Sequence, residues 1–419
     1  MGGFAGSLFK FGMKVRDEDR TRDVDTISQA PASGVRLPLL NYIDPDYSPA
    51  DNYLGGKYVN FGTAFPDKNA MRNLSRGGSL ITTVAATGDS GSYTAHERVT
   101  AGYLMDEIYL GERTTLTPGI RFEAADVTHG APSYLLDASG NVKSRSIASG
   151  NNNYLNVLPG MHLRYRPFTD TVLRLSYSRT LARPNYSDLA PLVLQDPTAL
   201  TISRGNPDLK VTTSNNVDVS FEHYFQTVGV ASGGFFYKNL SDYSYQATLQ
   251  QTIGSDLYRI SQPVNGDSAN VYGLELTFVR RLDFLPKALH GFGVYTNYTY
   301  VHSNATLPRG PFILPGQASH LGNAAISYER RGLSARASFN YQGHYVLAVG
   351  NTAADDNWLD NRLEIDFSVS RRINKHIRVF FDALNLGNEP YRVYIGTANR
   401  SIQEERYKIW AITGFKFDF

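Results

Sequence analysis

The sequence contains no cysteine, two tryptophans and five methionines in 419 residues. The missing cysteines exclude a disulfide framework, a thiolate metal site and a thiol nucleophile. Charge of one sign is also missing: 41 basic residues against 39 acidic ones leave a net charge of +2, too balanced for a nucleic-acid-binding surface. No stretch approaches the roughly 18 consecutive apolar residues that a membrane-spanning helix needs, and the mean hydropathy is −0.31. The opening stretch, MGGFAGSLFKFGMKVRDEDR, lacks the apolar core and small-residue cleavage site of a secretory leader. Phe9, Phe11, Met13 and Val15 alternate there with Lys10, Gly12, Lys14 and Arg16. Strand character is thus present by residue 8, and the start of an exported protein is expected to lie outside this sequence.

None of these absences excludes a membrane, because a transmembrane barrel alternates lipid-facing apolar residues with lumen-facing polar ones and averages to a soluble-looking hydropathy. What the sequence holds in quantity fits that alternative: 27 tyrosines, 22 phenylalanines and 37 glycines. In RLEIDFSVS, Leu363, Ile365, Phe367 and Val369 share one face while Glu364, Asp366, Ser368 and Ser370 share the other. Leu173, Leu175 and Tyr177 likewise oppose Arg174, Ser176 and Ser178, and Val217, Val219 and Phe221 oppose Asn216, Asp218 and Ser220. A helix would mix these faces; a strand separates them.

This alternation predicts about fourteen strands, near 4–16, 92–109, 113–127, 152–166, 169–181, 212–225, 228–246, 268–282, 290–304, 317–329, 331–344, 358–371, 375–386 and 402–419. They run roughly nine to fifteen residues, whereas soluble strands cluster near five or six and tilted transmembrane strands need about 9–11. Short turns alternate with long segments at 17–91, 128–151, 182–211, 247–267, 345–357 and 387–401, the sorting of short periplasmic turns and longer extracellular loops that outer-membrane barrels show. An even count puts both termini on the periplasmic side. Tyr103, Tyr109, Tyr165, Tyr224, Tyr328, Tyr341 and Trp410 fall near strand ends, where interfacial aromatics belong. The expected fold is therefore all-β: an antiparallel transmembrane β-barrel, or an arc of one.

Candidate chemistry is sparse. GDSGS at 88–92 and the nearby His96 resemble pieces of a serine-protease site, but that chemistry needs Ser, His and Asp converging from distant segments; the stretch reads as a flexible loop. The nine histidines show no metal-ligand spacing. Two acidic clusters, DPDYSPADN at 44–52 and AADDNWLDN at 353–361, lack the spacing and glycine of a calcium loop. The second carries Asp355, Asp356, Trp358 and Asp360 at the expected outer mouth, where an aromatic ring can stack on a solute; these four are the candidate ligand-binding residues. Arg121, Arg174, Arg336, Glu364 and Asp366 fall on the polar faces and are expected to line the lumen wall. No catalytic residue and no cofactor or metal is expected.

Several segments resemble TonB-dependent receptors, the plugged barrels of Gram-negative outer membranes. YLNVLPGMHLRYRPFTDTVLRLSYSRTLARPNYSDLAP (154–191) looks like that family's mid-barrel hairpin with its Arg183–Pro184 pair. GNPDLKVTTSNNVDVSFEHYF (205–225), GGFFYKNLSDY, VYGLELTF, GVYTNYTYVHS and FFDALNLGNEPYRVY follow in family order. The closing alternation with Phe415, Phe417 and Phe419 resembles the C-terminal signature read by the barrel-assembly machinery. The resemblance implies an outer-membrane receptor for energised uptake of a siderophore, vitamin or oligosaccharide, and the wording of 154–225 looks closest to members associated with carbohydrate. It implies outer-membrane lipid and lipopolysaccharide as surroundings. The plug domain and TonB-engaging segment of the family have no counterpart here. Residues 1–419 are therefore expected to be the C-terminal part of a 22-stranded barrel, with TonB reached only through a missing N-terminal part. A passive porin-like barrel and an inactive truncated fragment stay open as alternatives.

Overall fold

The computed structural model describes residues 4–25, 27–31, 68–76, 80–84 and 87–417, apart from 140, 198, 227, 287, 288 and 308. Fourteen long strands form one antiparallel arc in which chain neighbours are sheet neighbours: β1 Phe4–Arg22, β2 Tyr93–Leu110, β3 Thr114–Leu136, β4 Val142–Phe168, β5 Thr171–Ala182, β6 Thr212–Tyr224, β7 Gly229–Ser241, β8 Ser268–Arg281, β9 Phe292–Leu307, β10 His320–Arg330, β11 Leu333–Gln342, β12 Arg362–Arg372, β13 Ile377–Leu384 and β14 Trp410–Phe417. All fourteen overlap the segments expected from alternation, with several bounds shifted. Among the described residues no pairing joins β14 to β1, so the arc has two free edges.

The register explains the alternation. Leu175, Val219, Phe235, Leu274 and Tyr300 stand opposite one another across five consecutive strands, and all five are exposed. Such rows repeat around the arc and make a continuous outward belt of uncovered apolar side chains, far beyond what a soluble protein leaves bare. The inward face carries the intervening polar residues. No helix among the described residues is long and apolar enough to cross a membrane, a fact that says nothing about a β-barrel.

The short connections are tight. Between β10 and β11 only Arg331 and Gly332 remain unpaired, both at positive φ (49° and 80°), the backbone of a type I′ hairpin.

The long connections depart from expectation. Residues 128–151 do not form a loop: β3 and β4 run 23 and 27 residues and project as a paired hairpin, closed by Asp137, whose carboxylate accepts the backbone N–H groups of Ser139 (2.8 Å) and Asn141 (2.9 Å). Beyond Gly130, where its pairing with β2 ends, the edge of β3 at Ser133–Leu135 pairs in parallel with Val193–Gln195 of the segment after β5. Residues 247–267 form their own hairpin, Ser244–Ile253 with Asp256–Asn265, and β7 stops at Ser241 rather than 246. The strand expected at 358–371 begins at Arg362, because Asn357–Leu359 joins a separate four-stranded rim sheet with Tyr345–Ala348, Tyr391–Ile395 and Ser401–Glu405. For the same reason β14 starts at Trp410 rather than 402.

Candidate functional site

The inward face is a wall of paired charge. Arg174 reaches Glu222 through Nε (3.0 Å) and Nη2 (3.2 Å), and the Tyr224 hydroxyl donates to the same carboxylate at 2.6 Å. Arg121 donates to Glu123 Oε2 from Nε (2.9 Å) and Nη2 (2.6 Å). Arg336 donates to Ser338 Oγ at 3.0 Å and lies 5.8 Å from the centroid of Tyr295. Glu364 pairs with Arg362, and Asp366 accepts the Asn385 backbone N–H at 2.9 Å. All five carry side chains of the polar phase: Arg121, Arg336 and Glu364 meet partners on their own strands, Arg174 one on the next strand, and Asp366 the backbone just after β13. Two recesses open on this wall. One of about 490 Å³ is lined by Tyr103, Met105, Arg121, Glu123, Leu158 and His162. The other, about 320 Å³, is lined by Glu107, Arg164, Arg174, Ser176 and Asp218.

Sequence reasoning missed the centre of this wall. Glu97 is 3% exposed and pairs with Arg16 of β1. Arg183, at the start of the segment after β5, sits 3.7 Å from Glu97 and pairs with Glu123, which in turn meets Arg121. Five side chains from three strands and one connection form an alternating ladder of three cations and two buried carboxylates. The connection itself is folded onto the wall. Leu189 and Leu209 pack on Val127 of β3, and Tyr154 and Asn152 of β4 donate to the carbonyls of Leu209 (3.0 Å) and Pro207 (2.6 Å). Asn206 donates its backbone N–H to Asp188 O at 2.7 Å and its side chain to Pro263 O at 3.0 Å. A Cβ on Gly205 would lie 1.9 Å from Ala190 O, so only glycine fits there. The Arg-Pro pair and the Gly-Asn-Pro-Asp-Leu run were visible as motifs; that both serve one lock was not, because their partners on β3 and β4 lie 55 or more positions away.

At the long-loop rim, Asp356 is 1% exposed. It takes the Arg309 guanidinium at 2.6 Å and the Gly350 backbone N–H at 2.9 Å. Asp360 accepts Arg392 Nε at 2.7 Å. Asp355 is exposed and accepts the Thr352 hydroxyl at 2.7 Å. Trp358 is half-buried, stacked on Tyr394 (centroids 6.3 Å, 5° between planes) with His344 and Phe312 on its flanks. Burial first, then the charge of Asp360, lifts the Tyr394 hydroxyl above its usual range. Burial pushes Tyr243, in the same apolar cluster as Trp358 and donating to Thr306 O at 2.9 Å, up to about 12. The structure therefore gathers the four expected ligand residues into one rim patch, in which Asp356 and Asp360 face arginines of the rim, Asp355 is exposed and Trp358 is half-buried among aromatic neighbours.

Phe415 and Phe417 stand outward on β14, 69% and 53% exposed; Phe419 and the 44–52 cluster lie outside the described residues. Ser90 sits in a turn, its N–H on Thr87 O at 3.0 Å, while His96 contacts Asp19 at 2.9 Å, so the protease-like pieces do not meet.

The sequence profile described as "TonB dependent receptor-like, beta-barrel" matches residues 8–386. No curated protein sequence matches this chain. Among solved structures it is similar to the ferric-catecholate import receptor Fiu of E. coli K12 (TM-score 0.62, 14% identity, covering 99% of this chain and 52% of that one). It also resembles the siderophore receptor PiuA of Acinetobacter baumannii (0.56, 12%, covering 98% and 53%) and the haemophore receptor HasR of Serratia marcescens, solved with its haemophore and haem (0.53, 14%, covering 81% and 54%). The chain spans about half the length of these structures.

Proposed function

Because this chain belongs to the TonB-dependent receptor β-barrel family and its apolar belt lies in the outer membrane, we propose that it forms the wall of a receptor for active uptake of a bulky solute. The observation that carries this reading is the inward face of matched ion pairs opposite a bare apolar face. A polar lumen wall with its charges neutralised in place lets a charged or hydroxylated solute pass without trapping it on a lone charge. The long-loop rim faces outward and captures the solute, with Trp358 as a stacking surface and Asp355 as a polar contact; Asp356 and Asp360 fix the patch through Arg309 and Arg392. Fourteen wall strands with two free edges among the described residues, against 22 in the family's transporters, support the reading that further strands and the plug complete the same receptor, since open edges are costly in lipid. TonB then acts through that other part, and the Phe415–Phe417 alternation serves the assembly machinery.

Siderophores, vitamins and oligosaccharides are the candidate solutes. The leaning toward carbohydrate rests on 154–225, and much of that segment is occupied in the Arg183 lock rather than open to a solute, so it carries little weight. The neighbours' own ligands are ferric siderophores and haem, which puts iron chelates first among the solutes to try. The test is accumulation of ferric siderophores, cobalamin and maltodextrins by cells with and without the gene. Gene-dependent accumulation of one solute that stops when the proton gradient is collapsed supports the reading. Gradient-independent passage of many small solutes would instead mark a passive pore.

A further inference from the structure

The turns joining β10 to β11 and β12 to β13 carry a block of unbalanced charge. Arg330, Arg331, Arg371, Arg372, Lys375 and Arg378 stand against one carboxylate, Glu329, within 329–334 and 370–378. Among the described residues none of these six side chains is in an ion pair, whereas Arg281 on a neighbouring turn has Asp283 at 3.3 Å. Register sharpens the imbalance. Arg372 stands directly opposite Arg378 on the inward side, an arrangement that destabilises a sheet. On the outward side Leu333 stands opposite Arg330 on one flank and Arg371 on the other. These two arginines share the phase of Ile326 and Phe367, which face out with the apolar belt, so they project outward about 10 Å apart, two strand spacings.

Directly along the strands from this pair the outward face is apolar. The rows are Tyr328–Ala335–Val369 and then Ile326–Ala337–Phe367, and Ile326 is 52% exposed. Alanine on the middle strand between larger neighbours leaves a shallow channel that leads away from the two guanidiniums. Ile373, at the tip of the second turn, is exposed as well. Between the turns lies a recess of about 350 Å³ lined by Arg331, Ser334, Ser370, Arg372 and Arg378 together with Glu329.

We infer that this corner is a binding site for an anionic phospholipid of the leaflet on the short-turn side. Arg330 and Arg371 bracket the headgroup phosphate, where paired planar guanidiniums bind strongly. Arg331 and Lys375 add field at the headgroup level, and an acyl chain runs along Ala335 and Ala337. A soluble anion would have no use for the apolar rows, and a neutral lipid none for the cations.

The test uses the full chain in a neutral detergent, with lipid retention read by native mass spectrometry. The unaltered protein should retain phosphatidylglycerol about tenfold over phosphatidylcholine and over diacylglycerol of the same chains, a preference that falls as salt rises. Arg330→Gln with Arg371→Gln should abolish the preference, while Lys143→Gln with Arg145→Gln, which removes equal charge from the projecting hairpin, should keep it. The comparison with diacylglycerol on the unaltered protein holds even where the double variant fails to fold. Equal retention of the three lipids, equal loss in both double variants, or displacement of phosphatidylglycerol by an equal concentration of inorganic phosphate overturns the assignment.

Discussion

The two rims of the arc use charge in opposite ways. At the long-loop rim and the wall beneath it, carboxylates are buried or half-buried and matched: Asp356 with Arg309, Asp360 with Arg392, and Glu97 and Glu123 around Arg183. At the short-turn rim between β10 and β13, cations stand side by side in no ion pair among the described residues. Connection length is the physical reason for the difference. A long connection can fold back and place an arginine on a carboxylate many residues away, which is how Arg183 reaches Glu123. A turn of two to four residues cannot, so its charges stay exposed for whatever lies outside the protein. Charge at one rim is therefore architecture, and at the other it is available for binding.

Arg183→Ala should break the comparison most strongly. It leaves Glu97 and Glu123 buried with one partner each, at a cost of about 3 kcal/mol, and the connection from Tyr186 to Val211 should lose its amide protection in hydrogen exchange. Unchanged protection there would mean the lock is carried by Leu189 and Leu209 alone. Asp356→Asn keeps the shape of the rim patch but removes the charge that faces Arg309, a loss of about 2 kcal/mol. Exchange should rise over 345–359 and 391–405 while the arc strands stay protected, and a rise confined to 350–356 would show that the rim sheet does not depend on this pair. At the opposite rim, Arg378→Gln should be neutral within about 0.5 kcal/mol or slightly stabilising, since it relieves the like charge of Arg372; the temperature at which the band shifts on a heat-modifiability gel reads this directly. The smallest effect concerns the hairpin tip. Backbone N–H donors from Asn141 and Ser139 hold the Asp137 carboxyl below its ordinary range. Its contribution is therefore full above the ordinary carboxylate value and fades as pH falls through the depressed one. Amide shifts of Ser139 and Asn141 should titrate below that of a free aspartate and vanish as a titration in Asp137→Asn.

The arc was legible in the sequence because its signal is local. Alternation with period two, as in Leu363, Ile365, Phe367 and Val369, follows from the pleat alone, and lipid on one side with a polar lumen on the other enforces it along every strand. The rim was less legible. Asp355, Asp356, Trp358 and Asp360 were visible as a cluster, but their sequence gives no sign that Asp356 is 1% exposed while Asp355 is not. The projecting hairpin fell within the long segment 128–151, and its pairing with the segment after β5 lies about 60 positions away in the chain, beyond what local alternation encodes.

Composition and alternation thus determined, by themselves, an all-β barrel wall, its strand count, its two faces and the sorting of its connections, since each depends on contacts between residues adjacent in sequence or with the surrounding solvent. The tertiary structure alone decided which charges are matched, because Arg16, Glu97, Glu123 and Arg183 meet across as many as 167 positions of chain. No local pattern encodes which distant carboxylate a given arginine will find.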